Sequence, residues 1–239
     1  MTATQLMTEL DKRGDPHAAQ FAQRFFKTGK GQYGEDDIFI GITVPVTRKV
    51  AADFRDLPLK EIEQVLESPI HEHRLAAVII MTEQAKRTKD PVLQRDLYEL
   101  YLRRSDRINN WDLVDVSCRQ VVGGYLIDKP RDPLYKLARS KSLWERRIAM
   151  VSTWQFIRAG QLADTFAIAE ILLGDQHDLM HKAVGWMLRE AGKKNQDALC
   201  DFLDQYAATM PRTALRYALE RLAPGERDYY MKLRPSGVK

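Results

Sequence analysis

Apolar residues along the chain recur at the three- and four-residue spacing of amphipathic α-helices, and almost no segment alternates as a β-strand does. Helix start signals recur with short turns between them. Asp15-Pro16 supplies an N-cap followed by a first-turn proline, and Pro45 and Pro58 have the pattern of first-turn prolines. The pattern therefore predicts an all-α protein.

The predicted helices follow one another closely along the whole chain. The second of them has an apolar face that includes Phe21, Phe25 and Phe26. The predicted spans are residues 2–13, 16–28, 45–55, 58–68, 70–87, 91–105, 110–127, 131–140, 143–159, 161–174, 177–193, 196–209, 211–223 and 225–233.

Three of these helices share a local pattern, a basic residue followed by a run of small and branched apolar residues. The pattern begins at Arg74, at Arg147 and at Lys182, and the first interval is close to twice the second. The helices that begin near Asn110 and Thr213 fit the same series. A period of about 35 to 40 residues with two helices per unit is typical of α-solenoids. We therefore expect a single domain over residues 1–239, an α-solenoid of about six helical-hairpin repeats, curved and with a concave basic face.

The stretch Asn109-Asn110-Trp111-Asp112-Leu113-Val114-Asp115 stands out within this series. The asparagines are good N-caps, and the four-residue step from Trp111 to Asp115 places an indole and a carboxylate on one helical face. A helix that only fills a core has no need of this pair, because an unpaired buried carboxylate is costly. The alternative is that Trp111 anchors the core and Asp115 pairs with an arginine.

Further aromatic and basic pairs occur on the other inner helices, namely Trp144 with Arg147 and Lys182 with Trp186. If the helices align, these residues face one wall. Aromatic faces and a carboxylate attract a cation, whereas arginine suits a phosphate. Two alternatives stay open: each tryptophan can be a core residue, and Arg147 can form a structural ion pair with a neighbouring repeat, Asp115 included.

The net charge is modestly positive, since 37 lysines and arginines against 33 acids give a formal charge of +4. A polyanion is therefore an allowed partner, provided that the basic residues gather on one surface. A mixed and solvated surface is the alternative. The candidates are basic residues, many of them near predicted helix ends: Lys27, Lys30, Arg103, Arg104, Arg107, Arg139, Lys141, Arg146, Arg147, Lys193 and Lys194.

The sequence carries no sign of a membrane or export segment. The longest apolar runs, such as residues 75–81, fall short of the roughly 18 residues that a membrane span needs. The polar start of the chain lacks the basic-then-apolar pattern of a signal peptide. Cys118 and Cys200 lie among apolar residues and are expected to be small buried thiols. We therefore expect a soluble cytoplasmic protein, of the bacterial cytosol or nucleoid, with no membrane partner.

Two local patterns resemble cofactor-binding sites in their residue spacing alone. His177 and His181 stand one helical turn apart, as in helical zinc pairs, but no third ligand is evident. Gly29, Gly31 and Gly34 match the spacing of a dinucleotide loop, but no strand precedes them and no crossover helix begins directly after them. We expect neither a metal nor a small-molecule cofactor.

The segments 110–115, 144–149 and 182–190, in that order, resemble the AlkD family of DNA alkylation repair proteins, which are HEAT-like repeat DNA glycosylases. The resemblance extends from about Phe21 to Tyr217, and three motifs in order are more specific than any one of them. It implies excision of positively charged N3- or N7-alkylated purines, such as 3-methyladenine and 7-methylguanine, by hydrolysis of the glycosidic bond. It implies neither a metal nor a covalent lysine.

The same resemblance implies roles for individual residues. Asp115 is expected to be the catalytic carboxylate, and Trp111 and Trp186 are expected to be aromatic walls against the deoxyribose of the lesion. Arg147 is expected to hold the phosphate backbone. Phe25 stands where the family often has a tyrosine, so it is expected to contact DNA without the hydroxyl group. The remaining expected DNA contacts are basic residues of the same motifs, Lys182 and Arg146.

The expected partner is double-stranded DNA that contains alkylated bases, and the expected oligomeric state is a monomer. Two other functions remain open from the residues alone. One is a catalytically inactive helical-repeat protein that binds DNA or RNA structures. The other is a protein–protein scaffold, in which Trp111, Trp144 and Trp186 would be core residues.

Overall fold

The computed structural model describes residues 1–234, which form fourteen α-helices and no β-strand within that range. Every helix expected from the sequence is present, and the all-α prediction is confirmed. The helices are α1 (Ala3–Asp11), α2 (Pro16–Phe25), α3 (Val44–Asp53), α4 (Leu59–Leu66), α5 (His71–Arg87), α6 (Pro91–Arg103), α7 (Trp111–Cys118), α8 (Asp132–Ala138), α9 (Leu143–Arg158), α10 (Ala163–Leu172), α11 (Asp178–Gly192), α12 (Gln196–Tyr206), α13 (Arg212–Ala218) and α14 (Pro224–Lys232).

The helix starts follow the predicted capping chemistry. Asp15 precedes Pro16 of α2, and its Oδ1 accepts two N–H groups of the first turn at 2.8 and 3.4 Å. Asp90 caps α6 in the same way before Pro91. These carboxylates satisfy N–H groups that have no partner within the helix. Pro58 differs from the prediction, because it is the N-cap of α4 and does not lie within its first turn.

The chain divides into two compact units, of which the first comprises Met1–Tyr125. Helix α5 is central to this unit and packs against α3, α4 and α7. Every residue of α5 from His71 to Thr82 is buried, including its polar first turn. Buried polar groups are costly without hydrogen-bond partners, so this first turn must find them inside the unit. Helix α7 continues into a π-helical stretch, Arg119–Gly123.

The second unit begins at Leu126. Within it, α9 packs against α8, α10 and α11, and α11 also packs against α12 and α13. Gly185 lies where α11 meets α13. A Cβ atom at this position would lie 2.5 Å from the Cβ of Tyr217 and closer still to the carbonyl oxygen of Ala214. Glycine therefore permits a helix spacing that no larger residue allows.

Three further expectations bear on these units. The single solenoid domain of about six repeats stays a prediction. In the described part of the chain, no helix combines the length and the apolar character required to cross a membrane. Cys118 is buried as expected, whereas Cys200 is partly exposed, and neither forms a disulfide bond.

Candidate active site

Trp111 and Asp115 lie one turn apart at the start of α7, as their spacing predicts. Asn110 is the N-cap of this helix, and its Oδ1 accepts the N–H of Trp111 at 2.9 Å. Asn110 is fully buried, whereas Trp111 and Asp115 are each half-buried. The helix therefore holds an aromatic ring and an acidic group on one partly accessible face.

The indole of Trp111 is packed by two rings from the end of α2 and the residue after it. Phe26 stacks on the indole, with 5.4 Å between centroids and 20° between planes. Phe25 meets it edge-on at 6.0 Å and 65°. Both are geometries that aromatic pairs prefer. The orientation of Trp111 is therefore fixed by ring contacts, and Phe25, an expected DNA contact, lies beside it.

A buried ionic network lies behind the start of α7. His71 Nε2 is 2.8 Å from Asp112 Oδ2, and His71 Nδ1 is 3.1 Å from Asp37 Oδ2. Asp37 also accepts a hydrogen bond from Asn110 Nδ2 at 2.9 Å and one from the guanidinium of Arg74. All five side chains are buried. Two carboxylates thus balance one imidazolium and one guanidinium, and the network ties α5 to the N-cap of α7.

The titration behaviour of the network follows from these contacts. Burial alone would lower the pKa of His71, but the charges of Asp112 and Asp37 and their hydrogen bonds raise it to about 9. Burial acts to raise the pKa of Asp37, yet His71 and Arg74 outweigh burial and lower it. At neutral pH, His71 is therefore a cation between two carboxylates. The rings of Phe39 and Phe26 pack beside it, with centroids 4.5 and 5.1 Å from that of His71.

Glu72, the residue after His71, fixes the neighbouring backbone. Its buried carboxylate accepts the N–H groups of Ile40, Gly41 and Ile42 at 2.7 to 3.2 Å. Gly41 has a φ of +84°. A Cβ atom there would lie 2.5 Å from the backbone nitrogen of Ala19 in α2, so only glycine fits. The segment from residue 40 to 42 is thereby held between α5 and α2.

In the second unit, Trp186 on α11 is half-buried and meets Trp154 of α9 edge to face. The ring centroids are 5.1 Å apart, and the planes make an angle of 63°. Trp154 was not among the residues predicted for the site. Its sequence signal is that it lies two turns after Arg147, on the same helical face. Trp154 therefore holds Trp186 in much the same way that Phe25 holds Trp111.

Arg147 is buried, and its Nη1 donates a hydrogen bond to the carbonyl oxygen of Leu179 at 2.7 Å. The guanidinium thereby joins α9 to α11. Lys182 on α11 is half-buried, and its Nζ lies 2.7 Å from Asp178 Oδ2 one turn earlier. Such surface pairs contribute only about 0–1 kcal/mol, so the ammonium can exchange this carboxylate for another anion.

Arg146 has a different environment from its neighbour in sequence. Its Nε donates to Asp175 Oδ2 at 2.6 Å, and its Nη1 donates to the carbonyl oxygens of Ser140 and Lys141 at 3.0 and 2.9 Å. These bonds link α9 to the turn after α10 and to the turn before α9. The guanidinium of Arg146 is thus already used within the second unit.

The other candidate cations fall into two groups. Lys27, Lys30, Lys141 and Lys194 are exposed and form no ion pair within residues 1–234. The second group donates to acidic side chains or backbone carbonyls, and it includes Arg103, Arg104, Arg107, Arg139 and Lys193. Fewer of the candidate cations are therefore available for a basic surface than the sequence alone predicts.

The two histidines at the start of α11 contact backbone groups at that end of the helix. His177 is the N-cap, and its Nδ1 accepts the N–H of Leu179 at 3.1 Å. His181 Nε2 lies 2.6 Å from the carbonyl oxygen of Asp175. Among the residues that the structure describes, no group of three potential ligands could hold a metal ion.

Each unit thus presents an indole with a fixed orientation, Trp111 beside Asp115 and Trp186 beside Trp154. A groove common to Trp111, Asp115, Arg147 and Trp186 stays a prediction. The succession of short helices and these residues define an all-α protein with an acidic and aromatic candidate site.

Comparison with known proteins identifies the family. The family model described as "DNA alkylation repair enzyme" matches residues 6–222, and the chain belongs to this family. A solved structure described as a predicted DNA alkylation repair enzyme from Enterococcus faecalis has a similar fold, with a TM-score of 0.68 and 17% sequence identity. The match covers 89% of this chain and 98% of that chain. A comparison with curated proteins finds no match. The family expected from the sequence is confirmed.

Proposed function

We propose that the protein is a DNA glycosylase that hydrolyses the N-glycosidic bond of positively charged N3- or N7-alkylated purines, such as 3-methyladenine and 7-methylguanine. Its family acts in the repair of alkylated DNA, so its substrate is DNA. The observation that carries the proposal is the pairing of Trp111 with Asp115 on one face of α7. A ring face and a carboxylate both favour positive charge, which is present on the lesion and develops on the sugar.

The reaction needs few groups from the protein. The alkylated purine already carries a positive charge, so the bond to C1′ breaks with its electron pair passing to the base, which leaves as a neutral molecule. The sugar becomes oxocarbenium-like, and the carboxylate of Asp115 stabilises that charge. Water then adds to C1′ and passes its proton to Asp115. No metal ion and no covalent lysine enter this sequence of steps.

In this proposal, Trp111 and Trp186 lie against the deoxyribose of the lesion. Both indoles are already oriented in the protein, Trp111 by Phe26 and Trp186 by Trp154. A ring that is fixed before binding loses little conformational freedom when DNA binds. The indoles of Trp111 and Trp186 are therefore already oriented before DNA binds.

The other proposed contacts with DNA are Arg147, Lys182, Phe25 and Arg146. The planar guanidinium of Arg147 suits bidentate contact with a phosphate. Lys182 can exchange its surface ion pair with Asp178 for a phosphate oxygen. The donors of Arg146 are bonded to Asp175 and to backbone carbonyls, so its contact with DNA requires the exchange of one of these partners. The proposal also includes a monomer that acts in the cytosol on double-stranded DNA containing alkylated bases, without a cofactor.

Release of 7-methylguanine from methylated duplex DNA tests the role of Asp115. The substitution Asp115→Asn removes the charge and preserves the shape, so the excision rate should fall by about a hundredfold or more while duplex affinity changes little. The matched control is Asp128→Asn, at an exposed aspartate paired with Lys129, which should excise at the wild-type rate. Wild-type excision by the Asp115 variant would remove the carboxylate from the mechanism.

The same assays separate the two other functions. A wild-type protein that binds duplex DNA but releases no alkylated base would be a catalytically inactive nucleic-acid-binding protein. Affinity for DNA should fall steeply as the salt concentration rises, because phosphate contacts release counterions. Absence of any salt-dependent duplex binding would instead indicate a protein scaffold.

A further inference from the structure

Helix α2 exposes two aromatic rings that the first unit leaves uncovered. Phe21 is 71% exposed and Phe25 is 55% exposed, and no residue of α2 is fully buried. The two rings lie nearly parallel, with 6.3 Å between centroids and 16° between planes. Adjacent apolar groups with this much exposure are typical of binding surfaces. Phe21 and Phe25 together are called the α2 ring pair below.

The sequence segment that carries the α2 ring pair is basic. No acidic residue occurs from residue 16 to residue 32, whereas Arg24, Lys27 and Lys30 all lie in this segment and are exposed. None of the three forms an ion pair within the described part of the chain. Exposed rings interleaved with unpaired cations are typical of surfaces that bind single-stranded nucleic acid. A phosphate backbone is therefore the complementary partner.

The chemistry of phenylalanine indicates which form of DNA fits. A base inside a duplex presents only its edges to a protein, because neighbouring base pairs cover its faces. A ring face can therefore stack only on a base that has left the helix stack. Phenylalanine also has no hydrogen-bonding group with which to distinguish one base edge from another, so such stacking is tolerant of sequence.

We propose that the α2 ring pair is a stacking site for an unpaired base of single-stranded DNA, with Arg24, Lys27 and Lys30 contacting the phosphates of the same strand. The choice of DNA as partner rests on the proposed function, and this site extends that function to alkylated bases in single-stranded or locally opened DNA. Because Phe25 also meets the edge of Trp111 at 6.0 Å, a strand on the ring pair lies next to the α7 indole.

Fluorescence anisotropy tests the proposal with two undamaged probes, a labelled oligothymidylate of about 12 nucleotides and a labelled hairpin duplex. Phe21→Ala should weaken binding of the single strand by about tenfold, the loss of one base–aromatic stack, and should leave duplex binding within about twofold. Phe21→Tyr keeps the ring face and should bind like the wild type. Phe21→Leu keeps an apolar side chain without the face and should behave like the alanine variant.

Two controls separate stacking from general effects. Tyr229 is 57% exposed on α14, whose charges balance, since Glu226 and Asp228 are matched by Arg227 and Lys232. Tyr229→Ala therefore removes another exposed ring from a setting without excess positive charge and should change neither affinity. Arg24→Gln should weaken both forms of DNA and reduce the salt dependence by about one ion, because a phosphate contact does not require a free base face.

Three results would overturn the proposal: unchanged single-strand affinity of Phe21→Ala, equal losses for both probes, or wild-type binding by Phe21→Leu. Unchanged affinity for both probes would remove DNA as the ligand of the α2 ring pair. The probes carry no alkylated base, so this test does not depend on glycosidic cleavage. Failure of the base-release assay would therefore leave the result intact, and failure here would leave base release intact.

Discussion

Trp111 in the first unit and Trp186 in the second have the same proposed role, but the helices that carry them are anchored in different ways. Trp111 lies on a helix whose N-cap, Asn110, is bonded to the buried carboxylate of Asp37. Trp186 follows Gly185, where α11 and α13 come too close for any side chain. One helix is thus anchored through a network of charges and the other through close packing. The first unit should therefore respond to changes of charge and pH, and the second to changes of volume.

Two buried arginines anchor helices, one in each unit. Arg74 and Arg147 occupy the same place in the repeated sequence pattern, and both are buried. Arg74 on α5 pairs with the carboxylate of Asp37, which also accepts a hydrogen bond from the N-cap of α7. Arg147 on α9 donates to the carbonyl oxygen of Leu179 on α11. One sequence pattern therefore supplies a contact between helices in both units.

Removal of Asp37 should have the largest effect on stability. Asp37→Ala takes an acceptor from His71, Arg74 and Asn110 and leaves two buried cations with one carboxylate. The free energy of unfolding, measured by urea denaturation, should fall by about 3–5 kcal/mol. Asp53→Ala, at an exposed position in α3, is the matched control and should change stability by about 0.5 kcal/mol or less. Equal losses in the two variants would mean that the network does not stabilise the first unit.

Raising the pH should have the next largest effect. The pKa of His71 is about 9 in the folded protein, above its ordinary value of 6.5. The stability that the imidazolium contributes is therefore complete below pH 6.5 and is lost as the pH rises through 9. A shift of this size corresponds to on the order of 3 kcal/mol.

Urea denaturation between pH 6.5 and pH 9.5 measures this loss against His71→Gln, whose amide can still donate to Asp112 but does not titrate. The difference in unfolding free energy between the wild type and His71→Gln should shrink as the pH rises. A difference that stays constant over this range would show that His71 does not carry the charge assigned to it.

The smallest of the three effects concerns the second unit. Gly185→Ala places a Cβ atom against Tyr217 and the backbone of Ala214, and it should lower stability by about 1–3 kcal/mol in thermal denaturation. Gly225→Ala makes the same change in α14, where the added atom meets open space, and it should raise stability by about 0.5–1 kcal/mol. Effects of the same sign would show that the spacing of α11 and α13 is adjustable.

Local sequence was sufficient to predict the helical frame and part of the candidate site. Asp15 and Asp90 before prolines mark the starts of α2 and α6, and the four-residue step from Trp111 to Asp115 places both on one face of α7. These features depend on neighbours within a helical turn. Asp37 could not be predicted in this way, because it lies in a loop and its partners His71 and Asn110 are 34 and 73 residues away.

Helical periodicity does not predict which apolar faces are covered by another part of the protein. It predicted that Phe21, Phe25 and Phe26 share an apolar face, but only Phe26, the residue after α2, is substantially covered, by Phe39, His71 and Trp111. Periodicity indicates which side chains share a face and does not indicate whether another element packs on that face. The same limit explains why Trp154 was not predicted as the partner of Trp186, since their contact joins two helices.

The attachment of the segment after the glycine-rich loop has a consequence for protein engineering. Asp37 is tied to α5, and Glu72 holds residues 40–42 to the same helix, so the chain is secured downstream of the loop. Gly31 has a φ of +75° and open space around the position of a Cβ atom. Lengthening a surface loop costs little, about 0.6 kcal/mol for each doubling. A short peptide tag spliced in at Gly31 should therefore leave the fold of the first unit intact.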